Sequence, residues 1–321
     1  MNFTSLKYFF VTAQELNITR ASNRLYISQQ ALSEQILKLE KELGVQLFDR
    51  AHSMTLTYAG RQMLEYASRI LNLEKQMNQT AWDIGSNKRG EICIGMSHTC
   101  SRALLPQILP EYKRTHPLVE IKLKEGDTKE LEKALDHGEL DLVIGFAPFA
   151  LANVATIALS DERLFLVAPK ALLSQYFGAC YYAIISECKR CLDINLFKSM
   201  PFILLPEGNR TRTLADEYMA SAHFKPNIIL ETDNIETAYA LAERGMGFTV
   251  YPELYYWCLH SEDRLKQSPL ELFTMGDKVN VGSLQIAWIN NRYLSTAAND
   301  FITLCANTLE SIEKNHNGLE P

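Results

Sequence analysis

Gln29, Gln30, Ser33, Glu34 and Lys38 fall on one side of a helix drawn through residues 29–43. Their side chains offer hydrogen-bond donors and acceptors, not a nucleophile or a metal-ligand set. Such groups suit the edges of bases, glutamine being a natural partner for adenine, while Arg20, Arg24, Lys38 and Arg50 bring positive charge for phosphates. The opposite side carries Leu32, Ile36, Leu39 and Leu43, a stripe that must be buried. Ser28 is placed to cap the helix at its start, and Gly44 can close it in a left-handed turn. A polar face of this kind also belongs to any small helical bundle with a solvated surface. From the residues alone both readings stand.

The elements that would hold this face can be read on either side of it. Leu6, Phe9, Phe10, Ala13 and Leu16 predict a helix starting near Thr4 or Ser5 and broken at Asn17-Ile18. A short second helix, with Thr19 as its cap, buries Ala21 and Leu25 and ends at Tyr26-Ile27. Strand-like segments at 45–48 and 55–57 flank a polar tip, Arg50-Ala51-His52-Ser53, which reads as a wing. From 58 to 85 the spacing of Leu64, Ala67, Ile70, Leu71, Met77, Ala81 and Ile84 predicts one helix of about seven turns. That is longer than a small core needs, and such a stripe finds a second copy of itself. The polar run 85–90 is the best linker in the chain.

Beyond residue 90 strands and helices alternate, predicting an α/β architecture with largely parallel sheets. Strands are expected at 92–96, 119–123 and 142–144, and helices at 102–112 and 128–137, the latter capped by Asp127 with Glu130 in reach of a capping box. The rhythm restarts at 202–205, 213–222, 228–230, 235–244 and 248–250. Two similar halves imply two lobes with a cleft between them. The chain should cross between them near 161–169 and 269–281, then add a strand at 284–289 and a closing helix at 297–309. The expected division is a winged helix-turn-helix over 1–60, a linker and dimerisation helix over 61–88, one lobe from 89–163 with 270–310, a second from 164–269, and a flexible tail over 311–321.

Bulk properties narrow the function. With 321 residues the chain exceeds a single core, and its net charge of −6 argues against a wholly basic surface. The first 60 residues hold six basic against five acidic groups, so any nucleic-acid contact must come from local placement. There is no export signal and no run of about 18 apolar residues, which leads to a cytoplasmic expectation with no membrane partner. Seven cysteines without an export signal read as buried thiols. Cys188-Lys189-Arg190-Cys191, with Cys180 upstream, offers a zinc or redox reading that lacks a fourth ligand. No metal or other cofactor is expected.

The sequence also resembles the LysR-type transcriptional regulators. The likeness runs through residues 17–33, from Asn17-Ile18-Thr19-Arg20-Ala21 to Ser28-Gln29-Gln30-Ala31-Leu32-Ser33, then through 39–50 and Leu56-Thr57-Tyr58-Ala59-Gly60. It continues in Glu125-Gly126-Asp127, Gly138-Glu139-Leu140-Asp141-Leu142, Pro201-Phe202-Ile203-Leu204-Leu205 and Gly245-Met246-Gly247-Phe248, covering nearly the whole chain. It implies an N-terminal winged helix-turn-helix, a long linker helix, and a two-lobed, periplasmic-binding-protein-like α/β sensor domain. The function implied is promoter binding modulated by a small-molecule co-inducer in the cleft, without catalysis. Implied partners are double-stranded promoter DNA, a second copy in a dimer or a dimer of dimers, and RNA polymerase. The DNA-binding set becomes Thr19, Arg20, Arg24, Ser28, Gln29, Gln30, Ser33, Glu34, Lys38, Arg50 and His52. The effector set implied is Ser97, His98, Thr99, Thr128 and Phe146 from one lobe, with Asn209, Arg210 and Asn234 from the other. For each effector residue a cap or loop role is the competing reading.

Departures from the family pattern bear on specificity. Gln30 replaces the usual proline, Glu34 stands where arginine is common, and the wing at 52–55 lacks the usual arginines. Glu34 would repel phosphate but can accept from cytosine, or pair with Lys38 one turn on. Arg210 occupies the position of the cysteine found in peroxide-sensing members. The rival class is a solute-binding or transferase-like α/β protein with a helical appendage. A solute binder would need export, and an enzyme would need a carboxylate to orient His98 beside Ser97, which the sequence does not display.

Overall fold

The structure is a computed structural model and describes residues 1–50, 53–84, 90–161, 163–260, 267–276 and 283–316. Three short helices open it. In α1 (Phe3–Glu15) Asn2 and Ser5 form a reciprocal capping box, so the helix starts before the predicted Thr4. α2 (Ile18–Leu25) is capped by Asn17, whose side chain accepts from the Arg20 amide at 3.0 Å; Thr19 lies inside the helix and is not the cap. Asn17 is available because Leu16 has already turned the chain in a left-handed conformation. α3 (Gln29–Leu43) begins at the Ser28 cap and ends at Gly44 with φ 71°, a conformation glycine adopts without penalty.

These helices pack on one core of Leu6, Phe9, Ala21, Leu32, Ile36 and Leu39, closed by Leu47 and Phe48. β1 (Phe48–Asp49) and β2 (Thr55–Leu56) pair antiparallel as the wing, shorter than the predicted segments. α4 (Tyr58–Ile84) then runs for 27 residues. Its Gly60 lies under the Leu47 carbonyl, where a Cβ would come within 2.0 Å of the oxygen, so only glycine permits this approach. Met63, Leu64, Ala67, Ile70 and Leu71 seal the helical core, whereas Met77 is exposed.

The remainder forms two lobes, one on a five-stranded sheet and the other on a three-stranded and a two-stranded sheet. In the first, β4 (Val119–Glu125), β3 (Gly90–Met96) and β5 (Leu142–Phe146) are parallel, and β12 (Ser283–Ile289) pairs antiparallel with β5 on one side and with β6 (Val154–Asp161) on the other. Alternation along β3 sends Ile92, Ile94 and Met96 to one face, under α5 (His98–Thr115) and α12 (Thr296–His316), and Cys93 to the other, under α6 (Thr128–Asp136). In the second, β9 (Asn227–Glu231) and β8 (Pro201–Leu204) are parallel, and β7 (Leu164–Pro169) pairs antiparallel with both β10 (Thr249–Pro252) and β11 (Leu270–Thr274). Backbone bonds of 2.7 Å between Phe248 and both Pro201 and Ile203 tie the two parts together.

The expected largely parallel sheets are therefore mixed, because in each lobe one strand, β12 or β7, runs against its neighbours. That strand is the one the chain forms as it arrives from the other lobe. The first passage, between Asp161 and Leu164, and the second, between β11 and β12, both include residues outside the described set. The second lobe carries α7 (Lys170–Phe177), α8 (Tyr181–Arg190), α9 (Arg210–Ser221), α10 (Ile235–Glu243) and α11 (Glu253–Leu259). α12 continues through His316, so residues 311–316 are helical and not the flexible tail expected; 317–321 lie outside the described residues, as does most of the proposed linker, 85–89.

Candidate functional site

α3 divides as its sequence demands. Leu32, Ile36 and Leu39 are buried, while Ser28, Gln29, Gln30, Glu34 and Lys38 are exposed and Ser33 is half-buried. Gln30 donates to Glu34 at 3.2 Å, so the carboxylate's partner is Gln30 and not Lys38. Thr19 and Arg20 are placed at the start of α2, where Arg20 is exposed. Two cations named for phosphates are engaged within the protein. Arg24 pairs with Glu15 and bonds Gln14, each at 3.0 Å, and Arg50 pairs with Glu40 at 3.1 Å. His52 lies outside the described residues.

Glu40 was not among the expected site residues, though a signal existed: it sits beside Leu39 on the buried stripe. Its side chain is buried, and one carboxylate oxygen accepts from the Leu47 and Phe48 amides at 2.8 and 3.1 Å while the other meets Arg50. The recognition-type helix is thereby fastened to the wing strand.

In the sensor half the candidates gather at the carboxyl ends of parallel strands, where open α/β sheets bind ligands. Ser97 follows β3 and caps α5, accepting from the Cys100 amide at 3.4 Å. α5 therefore starts four residues before the predicted 102. His98 is exposed, with Nδ1 at 3.2 Å from Glu125; Thr99 is half-buried in the same turn. Glu125, at the end of β4, also accepts from the Ser101 hydroxyl. The orienting carboxylate missing from the sequence is thus present, but Ser97 serves as a cap. Thr128 opens α6 behind its Asp127 cap.

From the second lobe Asn209 and Asn234 cap α9 and α10, accepting from Arg212 and Glu236 amides at 3.5 and 2.9 Å. Arg210 reaches across: its guanidinium lies 4.5 Å from the Phe146 ring centroid, and Nη1 donates to the Ala147 carbonyl at 3.4 Å. A second bridge, unforeseen in the sequence, joins Arg102 of α5 to Glu236 of α10 at 2.5 Å. Tyr251 donates to the same carboxylate at 2.7 Å; burial, and then this carboxylate, push the phenol well above its ordinary range. The helix starts of α5 and α10 are therefore drawn together, with Phe146 and Arg210 facing each other between the lobes. Gln107 adds a bond to the Cys258 carbonyl at 2.7 Å.

Cys180, Cys188 and Cys191 are free thiols, and burial raises that of Cys188. Cys180 and Cys191 are exposed, against the expectation of buried thiols throughout. Among the described residues no group of three or more His, Cys, Asp or Glu is arranged to hold a metal, and no helix is long and apolar enough to cross a membrane.

A winged helix-turn-helix with a polar outer helix, carried by a long arm from a two-lobed α/β domain, defines a DNA-binding regulator with a sensor. Residues 3–61 match the bacterial regulatory helix-turn-helix of the lysR family, and 85–310 match the LysR substrate-binding domain. The chain belongs to the LysR family of transcriptional regulators and is not an enzyme. It is 30% identical to the uncharacterised helix-turn-helix transcriptional regulator YcgK of Bacillus subtilis, covering 97% of this chain and 95% of that one. It is 29% identical to the DNA-binding transcriptional dual regulator OxyR of Escherichia coli, covering 79% and 80%. Among solved structures, a cysteine-to-aspartate variant of full-length OxyR from Pseudomonas aeruginosa superposes with a TM-score of 0.69 at 26% identity, covering 97% and 95%. CbnR in complex with its target DNA shares the fold, with a TM-score of 0.62 at 22% identity and coverage of 96% and 100%.

Proposed function

We propose that α3 enters the major groove of promoter DNA, with Gln29, Gln30 and Ser33 reading base edges and Thr19, Arg20, Ser28 and Lys38 meeting the backbone. Arg24, Arg50 and Glu34 border this face; His52, also expected in the set, lies outside the described residues. The observation that supports it is the division of α3, whose buried stripe of Leu32, Ile36 and Leu39 turns Gln29, Gln30, Glu34 and Lys38 outward, with Leu37 exposed among them. Arg24 and Arg50 are expected to contribute less to phosphate binding than their charge alone suggests, because Glu15 and Glu40 already neutralise them.

A small-molecule effector is proposed to bind between the lobes, near Ser97, His98, Thr99, Thr128 and Phe146 on one side and Asn209, Arg210 and Asn234 on the other. A ligand that prefers one lobe closure shifts the equilibrium by its differential affinity, typically about 1–3 kcal/mol. Arg210 on Phe146 and Arg102 on Glu236 are the contacts such a closure would remake. The working form is a dimer joined through α4, or a dimer of dimers, acting in the cytoplasm and passing its state to RNA polymerase.

Electrophoretic mobility shift with the gene's own upstream DNA tests the DNA reading. Gln29→Ala and Ser33→Ala should each weaken specific binding by about tenfold while leaving binding to random duplex nearly unchanged. Equal weakening on both DNAs would place the recognition face elsewhere.

A further inference from the structure

Tyr26 turns the chain between α2 and α3 in a conformation that its residue type resists. Its φ is 55° and ψ 41°, the left-handed region that asparagine and glycine enter readily and a bulky side chain does not. Its side chain is 95% exposed, more than any other large apolar or aromatic residue among those described. No hydrogen bond among the described residues engages its hydroxyl, and it is absent from the apolar clusters. The fold thus bears both a strained backbone and a solvated ring with no packing return. Leu16 turns the chain in the same region, but is 42% exposed against 95% for Tyr26; strain of this kind clusters at functional sites.

The position indicates what that function is. Tyr26 stands two residues before the Ser28 cap and three before Gln29. When the start of a recognition helix lies in the major groove, the turn leading into it stands at the groove's edge, where the phosphates run. Arg24, the nearest cation on α2, is held against Glu15 and Gln14. A neutral donor on the turn can serve where that charge is withdrawn.

We propose that Tyr26 is a positioning residue for DNA, its hydroxyl donating to a backbone phosphate beside the groove that receives α3. This rests on the placement of α3 described above. A phenolic hydroxyl strengthens binding without displacing a counterion, so its loss has a signature that differs from the loss of a lysine or arginine.

The test compares full-length wild type, Tyr26→Phe, Tyr26→Asn and Gln29→Ala on the gene's own upstream DNA and on random duplex, over a salt series, with melting temperatures. Tyr26→Phe keeps the ring and the φ angle. It should weaken both DNAs alike, by about tenfold, with an unchanged salt slope and an unchanged melting temperature. Tyr26→Asn should bind at least as weakly yet melt higher, because the strain is relieved. Wild-type affinity in Tyr26→Phe overturns the proposal, as does a Tyr26→Asn protein that loses affinity only together with melting temperature. If Gln29→Ala discriminates between the two DNAs as well as wild type does, the placement of α3 falls and the proposal with it. A normal Gln29 response with an unaffected Tyr26→Phe removes the proposal alone.

Discussion

The carboxylate of Glu40 shows how one buried side chain can hold the proposed DNA-binding face from beneath. Buried on α3, it satisfies two backbone amides of the wing strand and one guanidinium. Magnitudes separate its partners. Arg50 is 42% exposed on its side chain, so Arg50→Ala removes an ion pair worth about 0.5–1 kcal/mol. Glu40→Ala leaves the Leu47 and Phe48 amides without their acceptor and should cost about 2–4 kcal/mol. Thermal unfolding of the full chain, with hydrogen exchange read at those amides, should show the larger loss of protection in Glu40→Ala. Equal effects would mean that the guanidinium, and not the amides, sets the value of this carboxylate.

Among the elements, α4 joins the two halves through polar contacts as well as through the chain. Asn72 donates to the His137 carbonyl at the end of α6, and Lys75 meets both Glu91 on β3 and the Cys93 thiol, the latter at 3.2 Å. Lys122 on β4 holds the same Glu91. Burial tends to raise the Glu91 carboxyl, but hydrogen bonds from Lys122 and Lys75 outweigh it and hold the group at about 2, against an ordinary 4.5. Burial pushes the Cys93 thiol up to about 11, so it serves here as a neutral partner. Because the folded carboxyl titrates below the unfolded one, its stabilisation is complete above pH 4.5 and is lost as pH falls toward 2. Glu91→Gln should therefore melt below wild type at neutral pH, and the difference should shrink across that acid window. A difference independent of pH would show that the ion pair adds nothing at this junction.

For the whole molecule, the single chain leaves an apolar seam uncovered. Tyr66, Leu73 and Met77 on α4 are exposed by 61, 66 and 60% at heptad spacing, away from the residues that seal the helical core. A second copy of α4 is the natural cover for such a stripe. Leu73→Glu combined with Met77→Glu should shift the full-length protein toward monomer in sedimentation velocity, through like charges facing across the seam, and should leave the melting of each lobe intact. An undisturbed oligomer would assign assembly to other surfaces. The lobes are coupled in a different way. Phe165 and Val167 of β7 share one continuous core with α5 and α12 of the first lobe, while Leu164 and Leu166 belong to the second. One strand thus serves two cores by alternation, and relative motion of the lobes must work against that shared packing.

Periodicity was enough to place α3, its Ser28 cap, its Gly44 stop and the long α4, because each depends on neighbours within a turn or two of the same chain. The family signature was legible for the same reason: it lies in contiguous segments, and the matches at 3–61 and 85–310 follow them. Local rules failed where two competent caps stood close together, as with Asn17 and Thr19, since the left-handed Leu16 decides which is used. They also could not show that Arg24 and Arg50 are engaged, that Glu125 faces His98, or that Arg102 meets Glu236, pairs separated by 9, 10, 27 and 134 residues. Charge and polarity are properties of the residue, but whether a charged group is free for a ligand depends on which distant group the fold brings to it, and that is decided only when the strands and helices pack.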